Sequence, residues 1–516
     1  MIQTRYNRGV KGLYQNLYCS KITRQIEENV MRKEVGRGRE APLDGFALMT
    51  RAARFALQSI LEHGPEFTGL TIFCGKGNNA GDGYLLAKLA QEAGFQVQVI
   101  SVFDPTLLSP DAKRAFEQAV GVGVVVESDA AEIRFNLLID AIFGIGLREG
   151  LPTNVVNCID RINAHRGFVV ALDVPTGIDS DTGFIDENNG TPRAVRASLT
   201  ICFITLKQGL FTGKAREFSG RKLLGDLDID KKYFFNCPSK SILRWEASAA
   251  AKFEGSIHKH KRGRVLILGG DEGMGGAVIM SANAALRVGT GLVVVGCRGS
   301  HHGPLLSRLP EVMTLKISEE GSIGNLGSYD LILIGPGLGR SDWGRRVFET
   351  ALASGLPLVI DADGLYWLSR EKSATENRTL FITPHSGEAA RLLGVESSDI
   401  ERNRFQAVES LSAKYHCAGV LKGPGSIVFC GADHYVCDHG GPAMASAGMG
   451  DVLAGTVAGM LASNGLSRID ARDFRTKEIL ANAVALHSAC ADELVADKGV
   501  RGLLASDLAE HLPAMF

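Results

Sequence analysis

The chain has 516 residues, too many for one ordinary hydrophobic core, so two or three domains are expected. A hydrophobic share of 45% and a charged share of 22% are those of a globular protein, and a formal net charge of −1 leaves no global field to recruit nucleic acid or an anionic membrane. The ten cysteines include no CxxC pair, and Cys74, Cys202 and Cys297 sit in apolar runs, which argues for buried thiols in a reducing compartment rather than disulfides or zinc. No uninterrupted apolar run reaches the roughly 18 residues of a membrane span. A cytoplasmic protein is expected.

Residues 1–16 open the chain with Arg5, Arg8 and Lys11, and no acid precedes Glu27. Lacking an apolar core and a cleavage pattern, this stretch reads as a solvated tail rather than a targeting signal. Residues 17–230 then alternate apolar runs with helical stretches. The predicted strands are Leu70–Cys74, Gln96–Phe103, Val122–Val126, Leu137–Phe143, Val169–Val174 and Ile201–Leu206. Helical spacing falls at Tyr84–Ala93, Asp111–Val120 and Val155–Ala164. This βαβ rhythm predicts a parallel sheet covered on both faces.

The first predicted strand runs into Gly75-Lys76-Gly77-Asn78-Asn79-Ala80-Gly81-Asp82-Gly83, a glycine-rich turn opening a helix. Strand, turn and helix in that order is the general form of a nucleotide site in an open parallel sheet. Two further strands end in acids with glycines after them, at Asp140 and at Asp173-Val174-Pro175-Thr176-Gly177. Ligands bind at the carboxyl ends of such strands, so Asp140 and Asp173 are expected in the crevice of Asn79 and Asp82. One strand-end Asp alone is more often a loop cap; two beside a glycine loop favour function. Oxygens of Asn79, Asp140 and Thr176 suit a hard cation rather than zinc or copper.

The rhythm breaks at residues 231–243, read as a linker around Pro238, and restarts in residues 244–516. Strands are predicted at Arg264–Gly270, Leu292–Cys297, Leu331–Ile334, Pro357–Ile360, Leu380–Thr383, Val420–Leu421 and Ile427–Cys430. Helices are predicted at Ala277–Val288, Val452–Ala462 and Ile479–Val495. Strand ends carry Gly335-Pro336-Gly337, Asp361-Ala362-Asp363, Thr383-Pro384-His385-Ser386-Gly387-Glu388 and Lys422-Gly423-Pro424-Gly425-Ser426. Taken singly each is weak, and His385 alone would more often be a hydrogen-bonded loop histidine. Lys422 would lie along a nucleotide's phosphates as a point charge. The sharpest signal is Gly441–Gly455, small residues entering a helix with Asp451 at its start. Free N–H groups there attract phosphate, and a carboxylate beside them is placed to act as a base on the group exchanging that phosphate.

In this order the strand-end motifs of the second half resemble the ribokinase-like superfamily. The whole chain, over roughly residues 17–510, resembles the bifunctional NAD(P)H-hydrate repair enzymes, which join an epimerase domain to an ADP-dependent (S)-NAD(P)H-hydrate dehydratase domain. The resemblance implies an α/β chain in which a Rossmann-like three-layer αβα domain precedes a ribokinase-like αβα domain. It also implies that Asn78, Asn79, Ala80, Gly81, Asp82, Gly144, Ile145, Gly146, Leu147, Arg148, Glu149, Gly150 and Asp173 hold the hydrate in the first domain. Asp173 there either transfers a proton or positions the substrate by its charge. A potassium ion would sit on Asn79, Asp140 and Thr176. In the second domain Ala277, Gly337, His385 and Asp451 would contact the hydrate, and Lys422, Gly423, Pro424, Gly425, Ser426 and Gly450 would hold ADP with magnesium, Asp451 being the base. Small-molecule substrates and a homo-oligomer are implied, with neither nucleic acid nor membrane as partner.

The chain departs from the family pattern at His260, Ser386, Gly441, Ala443, Ala447 and Ala53, none of them a proposed catalytic group. Methyls at Ala443 and Ala447 would narrow the anion cradle and bear on affinity. Three other assignments share some of these residues. A ribokinase-like vitamin or sugar kinase shares Asp451 but leaves the first domain unexplained. A dehydrogenase would need a glycine spacing other than that of Gly75, Gly77 and Gly81. The third is a first domain that binds without catalysing.

Overall fold

The computed structural model describes residues 16–34, 44–146, 150–235, 237–245, 262–371, 378–464, 469–470 and 473–516. The basic tail before residue 16, the motif around His260, and Leu147, Arg148 and Glu149 lie outside them. The chain divides after Lys240 into two compact units.

In the N-terminal unit seven strands lie in the order Arg221–Gly225, Leu199–Phe203, Phe168–Leu172, Leu137–Ala141, Gly69–Cys74, Gln96–Ser101, Val125–Ser128. Every pairing is parallel. Side chains alternate across the sheet. Leu70, Ile72 and Cys74 pack with Ala52, Ala53 and Ala56 of the helix Gly45–His63, while Phe73 packs with Val155, Ile159 and Ile162 of the helix Thr153–Ala164. Two cores on opposite faces of one sheet give three αβα layers. A short parallel pair, Asn16–Tyr18 with Leu206–Lys207, also belongs to this unit.

The C-terminal unit is built on strands in the order Lys240–Leu243, Asp433–Cys437, Ile427–Cys430, Ala418–Leu421, Leu380–Ile382, Leu358–Ile360, Leu331–Ile334, Arg264–Leu268, Leu292–Cys297, Met313–Lys316. All pairings are parallel except those of Ile427–Cys430, which runs antiparallel to both neighbours. One face is covered by the helices Gly275–Arg287, Met449–Ser463 and Phe474–Lys498. Helices Asp342–Ala353 and Arg404–Tyr415 bury Val347, Phe348, Val408 and Leu411 outside that core.

Part of the stretch read as a linker is ordered: Lys231–Phe234 makes a 3-10 turn and Lys240–Leu243 joins the second sheet beside Asp433–Cys437. Sequence reading passed over the strand Met313–Lys316 because it is mostly exposed, and Asp433–Cys437 because its alternation is broken. No uninterrupted apolar run reaches membrane-spanning length, but one helix is long enough and apolar enough on average. Arg475–Lys498 contains an 18-residue window of mean hydropathy 1.3, which a count of consecutive apolar residues misses because Asn482, His487 and Ser488 interrupt it. That window is 72% buried within the unit, as a core helix is.

Candidate active sites

In the N-terminal unit the strands Gly69–Cys74, Leu137–Ala141 and Phe168–Leu172 are neighbours, so their carboxyl ends bring three motifs to one edge. A cavity of about 590 Å³ opens there, lined by Asn78, Asn79, Asp82, Gly144, Ile145, Gly146 and Asp173, with Glu27 and Lys207 among the other walls. Ala80 lies instead in the core under the helix Asn78–Glu92. A methyl on Gly81 would meet the Met49 sulfur at 2.4 Å, which makes Gly81 a packing position. Gly150, at φ 82°, is not on the cavity wall.

Asp173 has φ 66°, a left-handed backbone that costs a non-glycine residue about 1 kcal/mol or more. Its amide donates to the Ile201 carbonyl at 2.7 Å, which fixes it there. The carboxylate forms an ion pair with Lys207, whose side chain is 1% exposed and whose ammonium also donates to the Phe203 carbonyl at 2.8 Å. Ile204, another wall residue, shares the positive φ at 66°, a clear outlier for a β-branched side chain. Backbone strain therefore clusters at this cavity. Burial and the nearby Asp173 charge raise the pKa of Asp82, strongly, and of Glu27.

Asp140 and Thr176 are buried, and Asp140 accepts from the Thr176 amide and hydroxyl, both at 2.7 Å, and from the Ile142 amide at 3.2 Å. Burial pushes Asp140 up to about 6 against those hydrogen bonds, which favour its charge. Asn79 donates to the Leu172 carbonyl at 3.1 Å, but its buried Oδ1 has no partner. An orphaned amide oxygen in a set of oxygen donors fits a hard cation.

In the C-terminal unit Gly448, at φ 89°, turns the chain into the helix Met449–Ser463 and places Asp451 in its first turn. That helix lies close against Gly275–Arg287, since a methyl on Gly455 would come within 2.2 Å of the Ser281 carbonyl. The Ser281 hydroxyl donates to the Asp451 carbonyl at 3.0 Å, and His487 bonds the Met449 carbonyl at 3.1 Å. That bond requires Nε2–H, and burial lowers the His487 pKa to about 4, so a neutral ring braces the helix start.

Lys422 donates to Asp361 Oδ1 at 2.7 Å and lies 3.6 Å from Glu388 Oε2. Its ammonium is also near Gly450, where an added methyl would sit 3.4 Å from Nζ. Three carboxylates, Asp361, Glu388 and Asp451, thus share one lysine. Burial and the Asp361 charge push Asp451 up to about 7 despite Lys422. Burial opposes the Lys422 charge, but Asp361 and Glu388 carry its pKa above the ordinary lysine value. The ammonium faces the acids and adjoins Gly450.

His385 caps the helix Ser386–Leu393, its Nδ1 accepting from the Gly387 amide at 3.0 Å while Nε2 faces Glu388 Oε1 at 3.5 Å. A methyl on Gly337 would touch Ala277 Cβ at 3.3 Å, so those two positions adjoin. The loop after Lys422 is closed by Ser426 donating to the Gly423 carbonyl at 3.1 Å.

Several residues of these sites went unassigned in the sequence. Asp361 and Glu388 stand inside the quoted motifs but gave no sign of their partners, and Lys207 directly follows the predicted strand Ile201–Leu206. Glu27 comes from a helix without any glycine loop. Arg404, fully buried, donates to Ser386 Oγ at 3.3 Å, to Glu401 at 2.9 Å and to the Leu421 and Lys422 carbonyls, both at 3.2 Å. No local pattern announces it. It also explains why a serine at position 386 is useful, since Ser386 takes a bond from a buried guanidinium.

A family model described as NAD(P)H-hydrate dehydratase matches residues 265–514, and one described as YjeF-related protein N-terminus matches residues 45–209. The bifunctional NAD(P)H-hydrate repair enzyme of Coxiella burnetii is 37% identical over 503 residues, covering 96% of this chain and 98% of that one. The enzyme of the same description from Escherichia coli is 37% identical over 473 residues, 90% of this chain and 88% of that one. A solved ADP/ATP-dependent NAD(P)H-hydrate dehydratase from Bacillus subtilis, co-crystallised with ATP and Mg2+, is 27% identical, covers 53% of this chain and 97% of its own, and gives a TM-score of 0.47. On this similarity along nearly its whole length, the chain belongs to the family of bifunctional NAD(P)H-hydrate repair enzymes.

Proposed function

We propose that the chain repairs hydrated NADH and NADPH in two steps, with residues 17–230 interconverting the R and S epimers and residues 244–516 dehydrating the S form with ADP. The observation that carries the second step is Asp451, raised to about 7 by its burial and the neighbouring Asp361 charge, at a helix start beside Lys422. A base is most effective with a pKa near the working pH. Asp451 takes the proton of the ring hydroxyl, whose oxygen attacks the terminal phosphorus of ADP and releases AMP. Hydroxide is a poor leaving group and phosphate a good one. The ring nitrogen then expels phosphate, and loss of a ring proton restores the dihydropyridine. Positioning and charge stabilisation supply most of the rate.

The backbone from Gly423 to Ser426 and the Gly450 amide hold ADP, and Ala277, Gly337 and His385 contact the hydrate. Magnesium arriving with the nucleotide would offset phosphate charge at a site where three carboxylates share one lysine. In the N-terminal unit the residues lining the cavity hold the hydrate, and Asp173, paired with Lys207, moves the proton or fixes the ring. Asn79, Asp140 and Thr176 would hold a potassium ion, which would supply positive charge to the site. The reading takes the enzyme as a cytoplasmic homo-oligomer acting on small molecules. Its test is Asp451→Ala: ADP-driven recovery of NADH should fall at least about 100-fold, and normal turnover would overturn the assignment.

A further inference from the structure

Three arginines converge on one tyrosine ring at the carboxyl edge of the second sheet. The guanidinium carbons of Arg340 and Arg370 each lie 4.5 Å from the Tyr366 ring centroid, and that of Arg391 lies 5.8 Å away. They come from different loops. The strands ending at Ile334, Ile360 and Ile382 are adjacent and level, with Ile334 opposite Ile360 and Ile360 opposite Ile382. Arg340 follows the first, Tyr366 and Arg370 the second, and Arg391 lies on the helix Ser386–Leu393 after the third.

A ring face attracts one cation, at about 0.5–1 kcal/mol in an exposed position, and does nothing to relieve repulsion among three. Among the described residues the one carboxylate paired with this group is Asp363, whose Oδ1 takes Arg340 Nε at 3.0 Å and whose Oδ2 takes the Gly339 amide at 3.1 Å. The platform is held in place: Trp367 donates to the Gly339 carbonyl at 3.0 Å and packs edge-on against Tyr366 at 5.0 Å. All three arginines are exposed, so their forks are open to a ligand. Guanidinium groups in this arrangement match phosphate oxygens.

We propose that Arg340, Arg370 and Arg391 form an anion subsite of the C-terminal unit that takes the phosphates of the dinucleotide being repaired. This rests on the repair reading given above. Position separates this ligand from ADP. The Tyr366 ring at the centre of the cluster follows the middle strand, between those that lead to Gly337 and His385, two of the proposed hydrate contacts, whereas the loop after Lys422 follows a strand one place further, where Gly419 pairs with Ile382. The pyrophosphate common to both substrates and the extra ribose phosphate of the NADPH form share the needed chemistry.

The test is the purified full chain carrying Arg370→Ala and Arg391→Ala together, which removes two exposed side chains and leaves Arg340 with Asp363. The expected result is a rise of roughly 10-fold in KM for the S hydrate, with kcat, the KM for ADP and epimerisation unchanged. The wild-type KM should rise with salt and that of the variant much less. Equal losses on the NADH and NADPH hydrates assign the cluster to the pyrophosphate; loss on the NADPH hydrate alone assigns it to the ribose phosphate. An unchanged KM for both hydrates, or a rise in the ADP KM instead, overturns the proposal. Absence of NADH recovery by the wild type would refute the repair reading itself. The cluster would then be judged by equilibrium binding of NADPH, where identical isotherms for wild type and variant overturn it.

Discussion

Lys422 holds Asp361 at 2.7 Å, and through that ion pair one ammonium is fixed amid three carboxylates beside the helix that carries Asp451. The pair matters less as a stabilising contact than as a setting for the base. Lys422 lowers the Asp451 pKa, while burial and Asp361 raise it, and the balance is about 7.

Dehydratase kcat should therefore fall as pH drops through about 7, since the base must be ionised. In Lys422→Met that acid limb should move to higher pH, with a rate loss of at least about 100-fold. A limb left in place would mean that Asp451 does not respond to Lys422. The same shift has a stability sign. A carboxyl whose folded pKa is raised from 3.8 to about 7 keeps its proton longer in the folded than in the unfolded chain, so its contribution falls as pH rises from about 4 to 7. Asp451→Asn should consequently unfold at an equal or higher temperature than the parent above pH 7.

Lys207→Met should abolish epimerisation while sparing dehydration of the S form. It leaves the Asp173 carboxylate without its buried partner, at a residue already held at φ 66°. Following each hydrate epimer separately by chromatography gives the answer; an R form consumed at the parental rate would contradict it.

Arg404→Met should raise the KM for ADP several-fold and destabilise the C-terminal unit by about 3 kcal/mol, because the Ser386 hydroxyl and two strand-end carbonyls lose a buried donor. Arg404→Lys keeps the charge but not the fork, and should recover stability more than ADP affinity. Denaturant unfolding with ADP kinetics on both variants separates the two effects. Parallel recovery of both would reduce Arg404 to a structural group.

Potassium should matter to one activity only. Asn79 Oδ1 is buried without a partner beside Asp140 and Thr176, so exchanging potassium chloride for tetramethylammonium chloride should slow epimerisation and leave dehydration unaffected. Equal rates in the two salts would argue against a cation on these oxygens.

The sequence was most informative where backbone chemistry is written in residue type. Asn79 and Asp173 follow predicted strands, and Asp451 stands where a run of small residues enters a helix, so strand ends and small-residue turns located them. The parallel first sheet and the mostly parallel second one follow from the same rhythm, and the strands Leu292–Cys297, Leu331–Ile334 and Ile427–Cys430 lie where the apolar runs placed them. Partners were less legible. Lys207 meets Asp173 across 34 residues and Lys422 meets Asp361 across 61, pairings that only the assembled sheets create. Arg404 was out of reach for a stronger reason: a fully buried arginine in a helix looks in sequence like any exposed one. The helix Phe474–Lys498 was legible as a helix from Ile479 to Val495, though polar residues break its apolar run.

Recovery of NADH absorbance from a mixed-epimer hydrate shows whether one chain carries both repair steps. With ADP, the wild type should restore NADH completely, while Lys207→Met, corrected for spontaneous epimerisation, should stop near the fraction initially present as the S form. Complete recovery at equal rates by both proteins would contradict a catalytic N-terminal site, and no recovery by the wild type with either ADP or ATP would contradict the account as a whole.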